Sequence, residues 1–227
     1  IQNLELDIEY HHKNVDYLEN FINIYKNPDE VINIAICGKY NSLHDAYKSI
    51  LEAFIHAGVE NKTSVNVVWV DTEELEVKKN PEEVFEGIDG ILIPGGFGDR
   101  GIEGKIISSQ YARENGIPFF GICLGMQCAV IDYARNVCSM NKANSTEFNK
   151  RTRFPIIDLM HGQRKVKTKG ATMRLGAYSC SVERGTNAYR AYKRTSIEER
   201  HRHRYEFNNR YRKKMTGAGL IVSGINK

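Results

Sequence analysis

Ile117-Pro-Phe-Phe-Gly-Ile-Cys123-Leu-Gly-Met-Gln127-Cys-Ala-Val-Ile-Asp-Tyr-Ala134 changes its periodicity halfway along. The first half is a short apolar run entered through a proline, which predicts a buried parallel strand. The second half places Leu124, Ala129, Val130, Tyr133 and Ala134 at helical spacing. Between them lies Gly121-Ile-Cys123-Leu-Gly125, the thiol form of the Gly-x-Ser-x-Gly nucleophile elbow. A chain turning this sharply from strand to helix would clash if the flanking positions carried side chains, so they are glycine. The turn holds the sulfur away from the sheet and sets it at a helix N-terminus, where free N–H groups and the macrodipole favour a thiolate.

One helix earlier, Ile91-Leu-Ile-Pro94-Gly95-Gly96-Phe-Gly98-Asp-Arg-Gly101 ends a second apolar run in a glycine loop. In a parallel sheet both loops emerge at the carboxyl edge, where the sites of open α/β folds lie. The backbone N–H groups of Gly96 and Leu124 can then converge on one oxyanion, and such a donor contributes roughly 3–4 kcal/mol of transition-state stabilisation. Taken singly, a cysteine after an apolar strand is more often a small buried hydrophobe, and a Gly-Gly loop is usually just a turn. The two together, one strand–helix unit apart, are far more specific.

Gly-Ile-Cys-Leu-Gly-Met-Gln following Pro-Gly-Gly-Phe-Gly resembles the class I, triad-type glutamine amidotransferases. Asn144-Ser-Thr-Glu147-Phe148, Ala171-Thr-Met-Arg-Leu-Gly176 and Glu199-Arg-His-Arg-His-Arg204-Tyr-Glu206 narrow the resemblance to the glutaminase domain of the CTP synthase family. It runs from about Val31 to the last residues, strongest through Phe148 and looser between Asn149 and Thr168, where the basic segment is shorter than the family usually has. It implies a doubly wound, mostly parallel open α/β sheet flanked by helices. It also implies hydrolysis of L-glutamine through a Cys123 thioester, with Gly96 and Leu124 holding the oxyanion. Gly96, Leu124, Gln127, Glu147 and Arg204 would bind glutamine, Glu147 at the α-ammonium and Arg204 at the α-carboxylate. A carboxylate matches an ammonium, and a planar guanidinium grips a carboxylate in two parallel bonds that lysine cannot reproduce.

The resemblance further implies that ammonia passes to a separate amidoligase domain, which aminates UTP to CTP with ATP and Mg2+ under GTP activation. No cofactor is expected in the glutaminase part. The full-length enzyme would be a homotetramer in the cytoplasm. Residues 1–30 would form the interdomain linker and a covering helix, and residues 31–227 the amidotransferase domain. The family's base is the histidine of a His-Pro-Glu several tens of residues beyond the match to Leu220-Ile-Val-Ser-Gly224. That motif is nowhere in the 227 residues, and none of the seven histidines occupies its position. The expectation is a polypeptide whose C-terminal end is missing here, and poor turnover by these residues alone, since general acid–base help is worth roughly 10²–10⁴-fold. The alternative is a catalytically incomplete domain of the same fold with a regulatory or assembly role.

Composition fits a soluble globular protein rather than a disordered one: 41% hydrophobic and 26% charged residues. No apolar run approaches a membrane span, so no membrane is expected. Five irregularly spaced cysteines without Cys-x-x-Cys argue against a disulfide framework and a zinc site, and fit a reducing compartment. The net charge of +4 conceals an asymmetry: residues 1–149 hold 12 Lys/Arg against 23 Asp/Glu, and residues 150–214 hold 19 against 5. The basic part suits an anionic partner such as a nucleotide. Nucleic acid is not expected, because no recognised binding pattern accompanies the charge.

The remaining elements follow from periodicity. Tyr17, Leu18, Phe21, Ile22 and Tyr25 predict a helix ended by Asn27-Pro28. Val31–Cys37, Ser64–Val70 and Gly90–Pro94 predict strands. Asp45 to Gly58 predicts a helix capped by Asp45, closed by Gly58 and buried along Ala46, Tyr47, Ile50, Leu51, Phe54 and Ile55. An acidic helical stretch runs to about Phe85, and a helix spans Ile102 to Asn115. This β-α-β-α order predicts a parallel sheet with right-handed crossovers. His44 and His56 are expected at the surface. His201 and His203, crowded by arginines that would repel a cation, are expected to bind no metal and to play no catalytic part.

Overall fold

The apolar runs Val31–Cys37 and Gly90–Ile93 are too continuous for a sheet with one wet face; they call for cover on both. The computed structural model describes residues 12–39, 44–159 and 174–226. In it β1 (Glu30–Gly38), β2 (Thr63–Asp71), β3 (Gly90–Ile93) and β4 (Phe119–Gly121) form a parallel sheet of order β2-β1-β3-β4. Residues 35–38 of β1 and all of β3 are buried. The register aligns Ala35 with Val68 and Ile91, and Ile91 with Phe119.

Helices lie on both faces. α1 (His12–Lys26) rests on α2 (Lys48–Asn61), which packs along β2 towards Val65 and Val67. On the other face Ala35, Cys37, Val70, Ile91 and Ile93 form a core with Leu75 of α3 (Thr72–Lys78), Phe85 after α4 (Pro81–Val84) and Ala112 of α5 (Ile102–Asn115). The even and odd positions of β2 therefore serve opposite layers, as a pleated strand requires. A second core joins α5 and α6 (Leu124–Asn136), through Ile156 and Ile157, to the first of two small sheets. One contains β5 (Asn144–Ser145), β6 (Pro155–Leu159) and β9 (Tyr205–Phe207). The other is antiparallel, ordered β10 (Gly224–Ile225), β7 (Arg174–Val182), β8 (Ser196–His203). Two short helices, α7 (Asn187–Tyr192) and α8 (Arg212–Gly217), complete the chain.

The α/β expectation holds, with local corrections. The helix expected from Asp45 begins as a 3-10 turn over His44–Tyr47 and runs to Asn61; Asp45 makes no cap and Ala46 is exposed. Gly58 does not close it. It lies inside the helix, where a Cβ would strike the Thr63 carbonyl, and Lys62 takes the left-handed closing position at φ 54°. Close approach, not turning, demands that glycine. The acidic stretch divides into α3 and α4; Asp71 caps α3 by accepting from the N–H groups of Glu73 and Glu74. His56 is exposed beside Phe21, ring centroids 5.6 Å apart. No helix among the described residues is long and apolar enough to cross a membrane. The segment between Asn149 and Gly170 is described only to Leu159, so the looser match there lies partly outside the described residues.

Candidate active site

Two neighbouring parallel strands end together. Ile93 of β3 pairs with Gly121 of β4, and the Ile122 N–H extends the ladder to the Ile93 carbonyl at 2.9 Å. The loop after β3 and the elbow after β4 therefore leave the sheet side by side. A Cβ at Gly125 would run into the Ile93 carbonyl oxygen, and one at Gly121 would come within 2.5 Å of the Gly125 carbonyl carbon and the Met126 nitrogen. The motif's two glycines are the surface on which α6 rides over its strands. Gly125→Ala is expected to lower stability by about 2–3 kcal/mol, measured as a fall in the urea midpoint.

Cys123 sits at the N-cap of α6 with φ 51° and ψ −102°, a conformation that L residues rarely adopt. Such backbone strain costs on the order of 1–3 kcal/mol and persists only where the surroundings hold it. A Cβ at Gly95 would lie 3.5 Å from Cys123 Cβ, and one at Gly96 3.5 Å from Leu124 Cδ2. Glycine loop and elbow thus face each other at contact distance, as the sequence requires. The helix terminus acts on the thiol but does not decide its state. The thiol pKa is raised, first by burial and also by the charge of Glu147, and the hydrogen bond from the Leu124 backbone only partly offsets this. Desolvation outweighs the helix terminus, so the resting sulfur is held as a thiol.

Glu147 follows β5. Its N–H donates to Ser145 Oγ at 3.1 Å, and Thr146 Oγ1 donates to Asp158 Oδ1 at 2.8 Å, fixing the turn. Burial raises the Glu147 pKa, opposed by a hydrogen bond from the Gly98 backbone. Acidic residue and glycine loop are thereby tied together. Gly98 has φ 87°, which a side chain would strain. Arg204 is the single residue between β8 and β9, at the point where the chain passes from one small sheet to the other. Gln127, on the first turn of α6, donates from Nε2 to the Tyr205 carbonyl at 3.2 Å.

Gly96, Phe97, Cys123, Gln127, Glu147, His203, Arg204 and Tyr205 line one cleft of about 310 Å³, counting its mouth. Leu124 is 4% exposed and lines the adjoining cleft, which shares Gly96, Phe97 and Cys123. Every residue expected to act on or bind glutamine, Gly96, Cys123, Leu124, Gln127, Glu147 and Arg204, therefore lines one of these two clefts. The adjoining cleft is basic, lined by Lys39, Arg100, Lys105 and Arg202. Lys39 Nζ donates to the Phe97 carbonyl at 2.7 Å, and Arg202 stands 5.9 Å from the Phe97 ring centre. Lys105 is 3% exposed and donates to Thr72 Oγ1 at 2.9 Å and, more weakly, to the Gly101 and Arg100 carbonyls.

Sequence reading missed Phe97, Lys105, His203 and Tyr205 as site residues. The available signal was adjacency: Phe97 follows Gly96, expected as an oxyanion donor, and His203 and Tyr205 flank Arg204. His203 is bonded at both ring nitrogens, to His201 and to the Tyr205 carbonyl, each at 3.0 Å. Both ring nitrogens are thus already in hydrogen bonds that do not involve Cys123. No group of three His, Cys, Asp or Glu side chains among the described residues could hold a metal.

Comparisons with known proteins agree with this geometry. Residues 42–227 match the family described as Glutamine amidotransferase class-I. A CTP synthase of Caldanaerobacter subterraneus subsp. tengcongensis is 58% identical over 200 residues, covering 88% of this chain and 37% of that protein. One from Pelodictyon phaeoclathratiforme is 56% identical over 218 residues, covering 95% and 39%. The chain thus spans about two fifths of the length of these curated relatives. A solved structure described as the glutaminase domain of Trypanosoma brucei CTPS with bound acivicin superposes with a TM-score of 0.79 at 39% identity, over 86% of this chain and 75% of that one. A strained cysteine elbow facing a glycine loop, matched over the same span by sequence and by shape, places the chain in the class I glutamine amidotransferase family, as a glutaminase domain of the CTP synthase kind.

Proposed function

We propose that the cleft binds L-glutamine lengthwise and hydrolyses its side-chain amide. One observation carries this: a carboxylate, a guanidinium and a thiol line the same narrow cleft. Glu147 suits the α-ammonium and Arg204 the α-carboxylate, which leaves the amide carbon for Cys123 Sγ. Attack forms the C–S bond, and the oxygen takes up negative charge towards the Gly96 and Leu124 N–H groups. The C–N bond then breaks as the proton lost by the thiol passes to the leaving nitrogen, so ammonia departs; water then cleaves the thioester C–S bond, giving glutamate and returning a proton to the sulfur. Gln127 holds the Tyr205 carbonyl and forms part of the cleft wall. His201 and His203 are bonded to one another and His203 to the Tyr205 carbonyl, so neither is proposed as the base.

The relatives are named CTP synthase, and on that basis ammonia is proposed to pass to an amidoligase domain that aminates UTP with ATP and Mg2+. Residues 1–30 would link that domain to the glutaminase domain of residues 31–227. The assembled enzyme would be a cytoplasmic homotetramer, with neither membrane nor nucleic acid as partner. GTP is proposed as activator; the basic cleft beside Cys123 supports contact with an anion.

Acivicin, an α-amino acid electrophile, tests the reading. It should add one equivalent at Cys123, located by peptide mass; L-glutamine should protect, and GTP should accelerate labelling. Modification elsewhere, or none that glutamine suppresses, would sink the proposal. A domain kept only for regulation or assembly would give that second result.

A further inference from the structure

We propose that His203 is a positioning residue for glutamine recognition: its imidazole braces the bend that carries Arg204, and His201 sets its tautomer. This rests on the glutaminase reading above.

β8 belongs to the antiparallel β10-β7-β8 sheet, whereas β9 pairs with β6 in the other small sheet. Arg204 alone joins them, so small changes in the angle between the sheets translate directly into displacement of its guanidinium. One side chain spans the bend: His203 Nδ1 lies 3.0 Å from the Tyr205 carbonyl, two residues on. That oxygen can only accept, so Nδ1 carries the proton and donates. In the neutral ring Nε2 is then the acceptor, and His201 Nδ1, 3.0 Å away, must donate to it. Tyr178 packs edge-on against His201, ring centroids 5.5 Å apart, and holds the far end of the chain of rings. The Tyr205 carbonyl also accepts from Gln127 on the elbow helix. Its two lone pairs thus tie the bend to the catalytic helix on one side and to the β7–β8 ribbon on the other. His203 lines the cleft with Cys123, Glu147 and Arg204, so any movement of the brace is felt at the substrate.

The test uses the whole chain and three readouts. In His203→Ala, the acivicin concentration giving half-maximal labelling, and the glutamine concentration giving half protection, should each rise about tenfold, as expected for one lost hydrogen bond of about 1.4 kcal/mol. The maximal labelling rate and the rate with iodoacetamide should change less than twofold. His203→Asn places an amide N–H near the position of Nδ1 and should recover most of the loss, whereas His203→Leu, of at least equal volume but without a donor, should not. Equal effects of Asn and Ala, or no change in either, overturn the proposal. Imidazole 15N spectra of the wild-type chain should show the Nδ1-protonated tautomer at His203, and the Nε2-protonated form overturns it. That measurement is independent of glutamine. If acivicin fails to label even the wild type, the glutaminase reading falls, while the spectrum still decides whether the brace exists.

Discussion

Cys123→Ala is expected to abolish covalent labelling by acivicin, with the rate falling at least about 10⁴-fold, as removal of a catalytic nucleophile does. The other four thiols are poor substitutes. Burial pushes Cys37 and Cys128 up to about 12 and raises Cys138, and the half-buried Cys180 lies on β7, away from the cleft lining. Labelling of wild type should instead rise with pH into the alkaline range, because the Cys123 thiol is itself held above its ordinary value. The sign follows from linkage: a raised thiol pKa means that the reactive form becomes abundant only as pH climbs through it. Cys123→Gly separates chemistry from strain. At φ 51° and ψ −102° glycine pays no steric penalty, so this variant should be inert to acivicin and yet more stable than Cys123→Ala by about 1 kcal/mol in urea. An alanine variant as stable as the glycine variant would mean that the elbow stores no strain.

The parts visible in the sequence were those fixed by local sterics. β3 and the C-terminal half of β1 are continuously apolar because both faces are covered there, and the glycine-bounded elbow leaves few backbone solutions. Gly58 was misread because the same residue type serves turning and close approach, and only the Thr63 carbonyl of the next strand distinguishes them. β5, two residues long, carries no period to read. Glu147 follows β5 and Arg204 precedes β9, far apart in the chain, and they reach one cleft only through tertiary packing, so their roles came from the resemblance to a family. His203 and Lys105 act through partners 2 and 33 residues away in sequence respectively, and no window around either residue discloses the cleft. The net shift of the Cys123 thiol was not legible, because a helix terminus is readable locally and burial is not.

Glu147→Gln should raise the glutamine concentration needed for half protection by several hundredfold, about 3–4 kcal/mol, the scale of removing one partner from a largely desolvated charge pair. The amide keeps the shape and the capacity to accept from Gly98, so the loss isolates the charge. The pH dependence identifies the cause. Burial raises the Glu147 carboxyl in the unliganded protein, so the native state binds that proton more tightly than the unfolded chain does. Stability owed to this group is therefore present below the ordinary glutamate range and declines as pH rises through the raised value. Glutamine reverses the preference, because its ammonium requires the ionised carboxylate. Affinity for glutamine should accordingly increase with pH across that same window and then level off, while the stability of the unliganded domain decreases across it. Glu147→Gln should remove both slopes together. If half protection by glutamine kept its pH dependence in the variant, the carboxylate would not be the ammonium's partner, and the orientation of the substrate in the cleft would have to be reversed.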